Sequence, residues 1–268
     1  MNFLRKYFAF TTITFRNGVQ YRFSFTIYIL GTTIQLAVLY FIWRAVYVGK
    51  PSISGFTESE MITYLFISQI LNSIYAYRNS PERIIFDRVK NGNLAFDLIK
   101  PVRFSIARLM ENIGGSLVSI VQASIVMLII TFLFPTIIPP AGIGYVIAFI
   151  MSVVLSFLIL FSLSLITGYI SFWTMNFWGL HFLKKSLFDF FSGAIVPLSL
   201  FPAWAMTLSN WLPFKNIIYT PTLIYMGRYD FNDTLVQLLI QTFWSVVLWL
   251  ISESLYKLAI RGLQINGG

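Results

Sequence analysis

The stretch IGYVIAFIMSVVLSFLILFSLSLITGYISF, residues 143–172, decides the fold class of this chain of 268 residues. It contains no charged residue, and as an α-helix it would be about 45 Å long, enough to cross a bilayer with tilt or protrusion. The whole chain is similarly apolar, with 57% hydrophobic and only 11% charged residues. Its apolar runs are about 17 to 29 residues long, whereas the strands of a membrane barrel alternate over about ten. We therefore predict an all-α integral membrane protein.

Six apolar runs are predicted to span the membrane within one transmembrane domain, residues 1–268. The fifth is about 24 Å long as a helix and contains Pro197, so we expect it to kink or to cross with help from the following segment. An even number of spans puts both termini on the same side. The predicted spans are Phe23–Trp43, Glu60–Tyr77, Asn112–Phe134, Ile143–Phe172, Ser186–Phe201 and Thr234–Tyr256.

The distribution of lysine and arginine predicts which side is cytoplasmic. Fifteen of the nineteen cations lie on the side of the termini and of the polar loop at residues 78–108, which carries seven of them. Because cytoplasmic loops are enriched in cations, the termini and this loop are predicted to be cytoplasmic. The net charge of +9 is then a topology signal and an attraction to anionic lipid, not a nucleic-acid footprint. We expect a multi-pass protein of a bacterial plasma membrane.

Residues 1–22 are predicted to form a cytoplasmic helix that lies in the membrane interface. Polar residues recur at steps of four and three, including Arg5, Arg16 and Gln20, while Leu4 and Phe8 lie elsewhere around the helix. Arg16 interrupts the apolar part and no small-residue cleavage site follows, which argues against a signal peptide. The segment is either a simple basic anchor or a cuff around a partner domain.

Residues suited to catalysis, metal binding or nucleotide binding are missing from the sequence. The chain has no cysteine and one histidine, His181, beside Lys184 and Lys185. A lone imidazole without a carboxylate cluster favours a plain interfacial role. No GxxxxGK[ST] motif is present to cradle ATP phosphates. We therefore predict no enzyme, no catalytic residue, and no metal or cofactor bound by this chain.

Polar side chains inside the predicted spans are the candidates for a substrate route. Helix packing explains most such groups, and a minority would line a route. Asn72 and Gln69 are the first choice, because two amides adjoin the aromatic sequence YAY at residues 75–77. Asp189 has two interpretations, an ion pair with Lys185 or a coupling role. The route candidates are Gln35, Gln69, Asn72, Gln122 and Asp189.

Two blocks of the sequence resemble the type-2 permeases of ATP-binding-cassette (ABC) exporters. The first is DRVKNGNLAFDLIKPVRF, residues 87–104, after the second predicted span. The second is FFSGAIVPLSLFPAWAMTLSNWLPFKNIIYTPTLIYMGR, residues 190–228, between the fifth and sixth. With the basic N-terminus and six spans, the resemblance covers essentially the whole chain, and it is greatest to short permeases encoded beside a separate ATPase.

The resemblance implies that the 78–108 loop contains a coupling helix that docks on the ATPase. The family pattern has charged residues, a glycine, an acid, leucines and a proline, and Gly92, Asp97 and Pro101 match it here. Phe96 precedes Asp97 where many relatives have a glutamate earlier in the helix, so which acid docks stays open. The alternative is a generic solvated basic loop. The implied ATPase-interface residues are Asp87, Arg88, Lys90, Asn91, Gly92, Asn93, Phe96, Asp97, Leu98 and Lys100.

The second block implies re-entrant or interfacial helices over residues 202–233, at the outer exit of the route. Its prolines prevent one long helix, and its tryptophans favour the headgroup level. An aromatic belt that holds the short fifth span is the alternative, and the two are compatible. The outer-gate candidates are Pro197, Pro202, Trp204, Trp211 and Pro213.

The implied machine is a dimer of this permease with an identical or paralogous permease, driven by two ATPase subunits that bind ATP and Mg²⁺. Short outer loops favour export over import, since they offer no dock for a soluble binding protein. The wider family carries amphiphilic drugs, antimicrobial peptides, lipids or glycans. Two alternatives are a secondary transporter or channel that works without an ATPase, and a non-transporting membrane scaffold.

Overall fold

A computed structural model describes residues 3–75, 80–174 and 176–261, and in these residues the chain forms helices and no β-strand. Two 3₁₀ turns, Leu198–Leu200 and Phe214–Asn216, lie among the α-helices. The α-helices in chain order are α1 Phe3–Gln20, α2 Arg22–Tyr47, α3 Glu58–Tyr75, α4 Pro81–Lys90, α5 Leu94–Leu98, α6 Phe104–Leu133, α7 Ile143–Thr174, α8 Phe177–Phe191, α9 Ala203–Trp211, α10 Tyr219–Tyr225 and α11 Phe231–Arg261.

Among the described helices, α2, α6, α7 and α11 are long and apolar enough to cross a membrane. They coincide with the first, third, fourth and sixth predicted spans, and the all-α membrane fold is confirmed. The second predicted span coincides with α3, which has 18 residues, nine of them buried and the rest half-buried. That α3 and α8 complete a set of six spans stays a prediction.

The fifth predicted span, Ser186–Phe201, is wrong as a helix. The helix in this region, α8, begins nine residues earlier at Phe177 and ends at Phe191. The side chain of Asn176 caps its start by accepting a hydrogen bond from the Gly179 amide at 3.0 Å. Beyond its end, Gly193 has a φ of +75°, a left-handed conformation that ends the helix before Pro197 is reached.

Helix α7 is the centre of the bundle and packs against α11, α4, α10 and α8. Small side chains lie on its buried faces, including Ser152, Ser156 and Ser164, together with Gly168. Without a hydrophobic driving force in lipid, close approach through small residues is how membrane helices gain packing energy. A second group forms around α6, which contacts α1, α2 and α3.

The segment between α8 and α11 enters the bundle. Residues 216–224 are all buried, and they pack beside α3 and α7. Gln241 of α11 donates hydrogen bonds to the Asn216 carbonyl at 2.8 Å and to the Ser156 hydroxyl at 3.1 Å. Ser156 donates to the same carbonyl at 2.8 Å. Three elements are thus joined by one buried polar network, within the region where re-entrant helices were predicted.

The predicted interfacial helix at residues 1–22 is α1, which packs along the first half of α6. Gly114 makes this contact close, because a Cβ there would lie 2.5 Å from the Thr11 carbonyl oxygen. Thr11 also donates a hydrogen bond to the Met110 carbonyl at 2.9 Å. Arg5 and Arg16 are both exposed. The position of α1 at the membrane surface stays a prediction.

Candidate functional site

The predicted coupling segment folds as two short helices, α4 and α5, and not as one. Gly92 divides them with a φ of +68°, and a Cβ at this residue would meet nothing within 4 Å. The glycine is therefore required for its left-handed backbone and not for space. Residues 78 and 79 of the predicted loop, and the side chain of Leu98, lie outside the described part of the chain.

Asp97 is buried and holds this segment together. Its carboxylate lies 2.7 Å from the Lys100 ammonium, 3.2 Å from the Arg88 guanidinium and 4.0 Å from that of Arg108. Arg108 in turn pairs with Glu111 at 2.9 Å. Arg88 belongs to α4 and Arg108 to α6, so the network attaches α5 to both. Asp97 thus faces inward and braces the segment.

The outer surface of the braced segment is different in character. Phe96 is 66% exposed and Ile99 is 78% exposed, three residues further along. The predicted interface residues Asp87, Lys90, Asn91 and Asn93, which precede them in the chain, are also exposed. An apolar pair within a polar rim, on a rigid support, is the typical form of a protein-binding surface. We call Phe96 and Ile99 the apolar tip.

A second charged cluster lies at the start of α4 and was not predicted from the sequence. The Glu82 carboxylate is fully buried and accepts hydrogen bonds from Lys184 and, at 3.2 Å, from His181, both on α8. Lys184 also donates to the Ser164 hydroxyl of α7 at 3.0 Å. His181 therefore has a specific partner where a plain interfacial role was expected, and its ring stacks on Phe177.

The cluster keeps Glu82 ionised. Burial by itself would raise the pKa of this carboxyl, but the hydrogen bond from His181 and the positive charge of Lys184 outweigh burial and lower the pKa to about 2. The first turn of a helix also favours a negative charge. An acid in the first turn of α4 was visible in the sequence, but its partners are about 100 residues away and no periodicity connects them.

A cavity of about 320 Å³ adjoins the Glu82 cluster between α3, α4, α6, α7 and α8. The amides of Asn72 and Asn112 line it together with the aromatic rings of Phe157, Phe161 and Trp178. Its volume is at the lower end of the range for small-molecule sites. Asn72, the first choice for a route residue, thus lies on a cavity that offers both hydrogen bonds and apolar surface.

The other route candidates do not converge on this cavity. Gln122 lines a second space of about 660 Å³ between α1, α2, α4 and α6. Gln35 is exposed on α2, and neither it nor Gln69 lines either cavity. Asp189 makes the local ion pair with Lys185, at 2.7 Å.

The outer-gate candidates lie at the ends of short helical elements. Pro197 and Pro202 directly precede the first 3₁₀ turn and α9, and Pro213 precedes the second 3₁₀ turn. Trp204 and Trp211 are exposed at the two ends of α9. Exposed tryptophans suit the headgroup level, so both interpretations, gate and aromatic belt, stay open.

Comparison with known families identifies the chain. The sequence pattern of the ABC-2 family transporter protein matches residues 33–267, which is nearly the whole chain. Comparison with curated proteins finds no match. Permeases of this family are membrane transport components that generally work with an ABC ATPase. With its apolar helices and braced polar loop, the chain therefore belongs to the ABC-2 family, as a multi-pass permease component of an ABC transporter.

Proposed function

We propose that this chain is the permease subunit of an ATP-driven exporter in a bacterial plasma membrane. It would act as a dimer with an identical or paralogous permease and with two ATPase subunits, which bind the ATP and Mg²⁺. The observation that carries the proposal is the apolar tip, Phe96 and Ile99, held outward by the Asp97 ion pairs.

The apolar tip is suited to a groove on a soluble protein. Phe96 lies on α5 and Ile99 directly follows this helix, so two exposed apolar side chains three residues apart form an anchor that gains most when a partner desolvates it fully. The exposed charges of Asp87, Lys90 and Lys100 supply a polar rim. Because Asp97 is held inside by ion pairs with Arg88 and Lys100, movement of a docked partner would be passed to α4 and α5 together and not absorbed by a flexible loop.

The cavity beside Asn72 supports an amphiphilic substrate. Amide groups from α3 and α6 would bind the polar part, and the rings of Phe157, Phe161 and Trp178 would cover the apolar part. The proposed classes are a drug, an antimicrobial peptide, a lipid or a glycan, and a cavity of about 320 Å³ would enclose a small drug or one part of a larger substrate. Export is the proposed direction, because the connections at residues 48–57 and 134–142 are too short to dock a substrate-binding protein.

Purification of the tagged chain from its native membranes in mild detergent tests the proposal. We expect a stoichiometric P-loop ATPase in the purified complex, together with ATP hydrolysis that is lost when the ATPase carries an inactive phosphate-binding lysine. Mass spectrometry of the same sample would distinguish an identical second permease from a paralogue. If the folded chain purifies alone even after cross-linking in the membrane, the proposal is wrong, and ion flux in vesicles would then separate a channel or secondary transporter from a scaffold.

A further inference from the structure

Helix α4 is connected to the docking surface at one end and to the bundle at the other. Its last turn contains Arg88, which pairs with Asp97 of α5 at 3.2 Å. Its first turn contains Glu82, which is buried against α7 and α8. A displacement of α5 therefore has to be followed by α4, because the Asp97 network and the short connection at Gly92 leave little slack between them.

The first turn of α4 lies directly on the backbone of α7. A Cβ added at Gly168 would be 3.0 Å from Glu82 Cα and 2.9 Å from Ile85 Cδ1, so the glycine receives both the backbone of α4 and the Ile85 side chain. Ile85 is buried there among side chains of α7, so this contact seats α4 on α7. The polar contact between α4 and α8 is made by the Glu82 carboxylate, which accepts hydrogen bonds from Lys184 and His181, and the rings of Phe86 and Phe177 add an apolar contact with centroids 5.5 Å apart.

The Glu82–Lys184 pair differs from the two ion pairs that lie within α4 and within α8. Its side chains are 1% and 14% exposed, whereas Arg83–Asp87 on α4 and Lys185–Asp189 on α8 are mostly in contact with solvent. Water and salt screen the exposed pairs, so they resist separation weakly. The buried pair also joins two different helices, while each exposed pair stays within one helix.

Helix α8 continues the connection towards the outer segment. Directly after α8, the Ser192 carbonyl accepts a hydrogen bond from the Tyr219 amide at 3.0 Å. The next carbonyl, of Gly193, accepts one from the Tyr64 hydroxyl of α3 at 2.7 Å. A shift of α8 would therefore act on the buried segment that contains Tyr219 and on the central helix α3.

We propose that the buried Glu82–Lys184 pair, seated beside Gly168 and assisted by His181, is the joint that passes movement of the docking segment to α8. Glu82, Lys184 and His181 would act by positioning α4 relative to α8, and they take no part in ATP hydrolysis. The inference rests on the proposed ATPase partner, and it adds which contact of this chain transmits the force. Without the pair, α4 would still follow the ATPase. The Phe86–Phe177 ring contact that remains between α4 and α8 would not be enough to move α8 and the outer segment with α4.

Two reporter positions test this joint, and the absence of cysteine from the chain makes single-site labelling direct. A fluorophore on Lys90→Cys reports on the end of α4, and one on Ile195→Cys, beyond α8, reports on the outer segment; both residues are exposed. The double variant Glu82→Gln with Lys184→Met removes both charges together, so no lone buried charge remains to unfold the protein. The control is Lys185→Met, the same substitution one residue further along.

In the reconstituted complex of the otherwise native chain, ATP should change the fluorescence at both positions. In the double variant we expect the change at Lys90→Cys to remain and the change at Ile195→Cys to be lost, with ATPase binding intact. The control should respond at both. An unchanged Ile195→Cys response in the double variant, or a loss at both positions, would overturn the joint. No ATPase bound to the native chain would instead refute the proposed function.

Discussion

Glu82 makes stability depend on pH in a defined direction. Its pKa of about 2 lies below the ordinary value of 4.5, so the pair stabilises the fold above a pH of about 4.5, and this contribution is lost as the pH falls towards 2. At neutral pH, Glu82→Gln leaves Lys184 buried without its acid and should cost about 3 to 5 kcal/mol.

Unfolding in detergent by heat or denaturant, at pH 7 and at pH 3, measures both effects. The free energy of unfolding of the native chain should fall from pH 7 to pH 3. The Glu82→Gln variant, which is less stable at pH 7, should show a much smaller fall. Arg83→Gln is the control, because its pair with Asp87 is exposed and should be worth less than about 1 kcal/mol. A Glu82→Gln variant as stable as the native chain would contradict the ionised pair.

Gly168 should not tolerate a methyl group. In Gly168→Ala the new Cβ would lie 3.0 Å from backbone of α4, which cannot rotate away as a flexible side chain would. Overpacking of this kind costs about 1 to 3 kcal/mol. Gly31→Ala in α2 is the matched control, because a Cβ there meets nothing within 4 Å and alanine favours the helix by up to about 1 kcal/mol. Equal thermal stability of the two variants would refute the close contact.

The side-chain amide of Gln241 stabilises the packing of the buried segment between α8 and α11. Gln241→Leu removes the hydrogen bonds to the Asn216 carbonyl and to Ser156, and it should cost about 1 to 2 kcal/mol. Gln35→Leu, on the exposed face of α2, should cost nothing measurable. Thermal unfolding of the two variants in the same detergent is the comparison, and a stable Gln241→Leu would show that apolar packing alone holds the segment.

A helix could be predicted from the sequence where one continuous apolar run defines it. Hydropathy located α2, α6, α7 and α11, since each is a long apolar run. It misplaced α8, because the apolar run continues past Phe191 although Gly193 ends the helix, and because the Asn176 cap was not considered. The penetration of residues 216–224 into the bundle depends on contacts with α3, α7 and α11, which no local pattern contains.

In the candidate site as well, features formed by neighbouring residues could be predicted, and contacts between distant residues could not. The turn at Gly92 could be predicted from the sequence, because the glycine and its flanking charges are adjacent along the chain. The docking role of this segment was implied by the family resemblance and stays a prediction. The orientation of its acid could not be predicted, since only Arg108, eleven residues on, and Arg88 show that Asp97 faces inward. The Glu82–Lys184 pair joins residues 102 positions apart, so neither periodicity nor composition could reveal it.

The predicted membrane topology can be tested by labelling single cysteines. Six crossings place Lys90 and Lys257 in the cytoplasm and Val48 and Thr207 outside, and all four residues are exposed for labelling. Single cysteines at these positions in intact cells should react with an impermeant reagent only at residues 48 and 207. If residues 48 and 90 react from the same side, α3 does not cross, and if 207 and 257 do, α8 and the outer segment together do not reach the outer face.

Binding of the ATPase through the apolar tip can be tested with a double variant of this surface. Phe96→Asp with Ile99→Asp keeps the Asp97 brace but places two charges on the surface proposed to be buried by the partner. Val48→Asp is the control, because Val48 is 78% exposed, as is Ile99, and is predicted to lie on the other side of the membrane. Equal amounts of each tagged chain are purified, and the retained ATPase is quantified. We expect the double variant to insert and fold but to retain no ATPase, while Val48→Asp retains the native amount. Native retention by the double variant would contradict binding through the apolar tip.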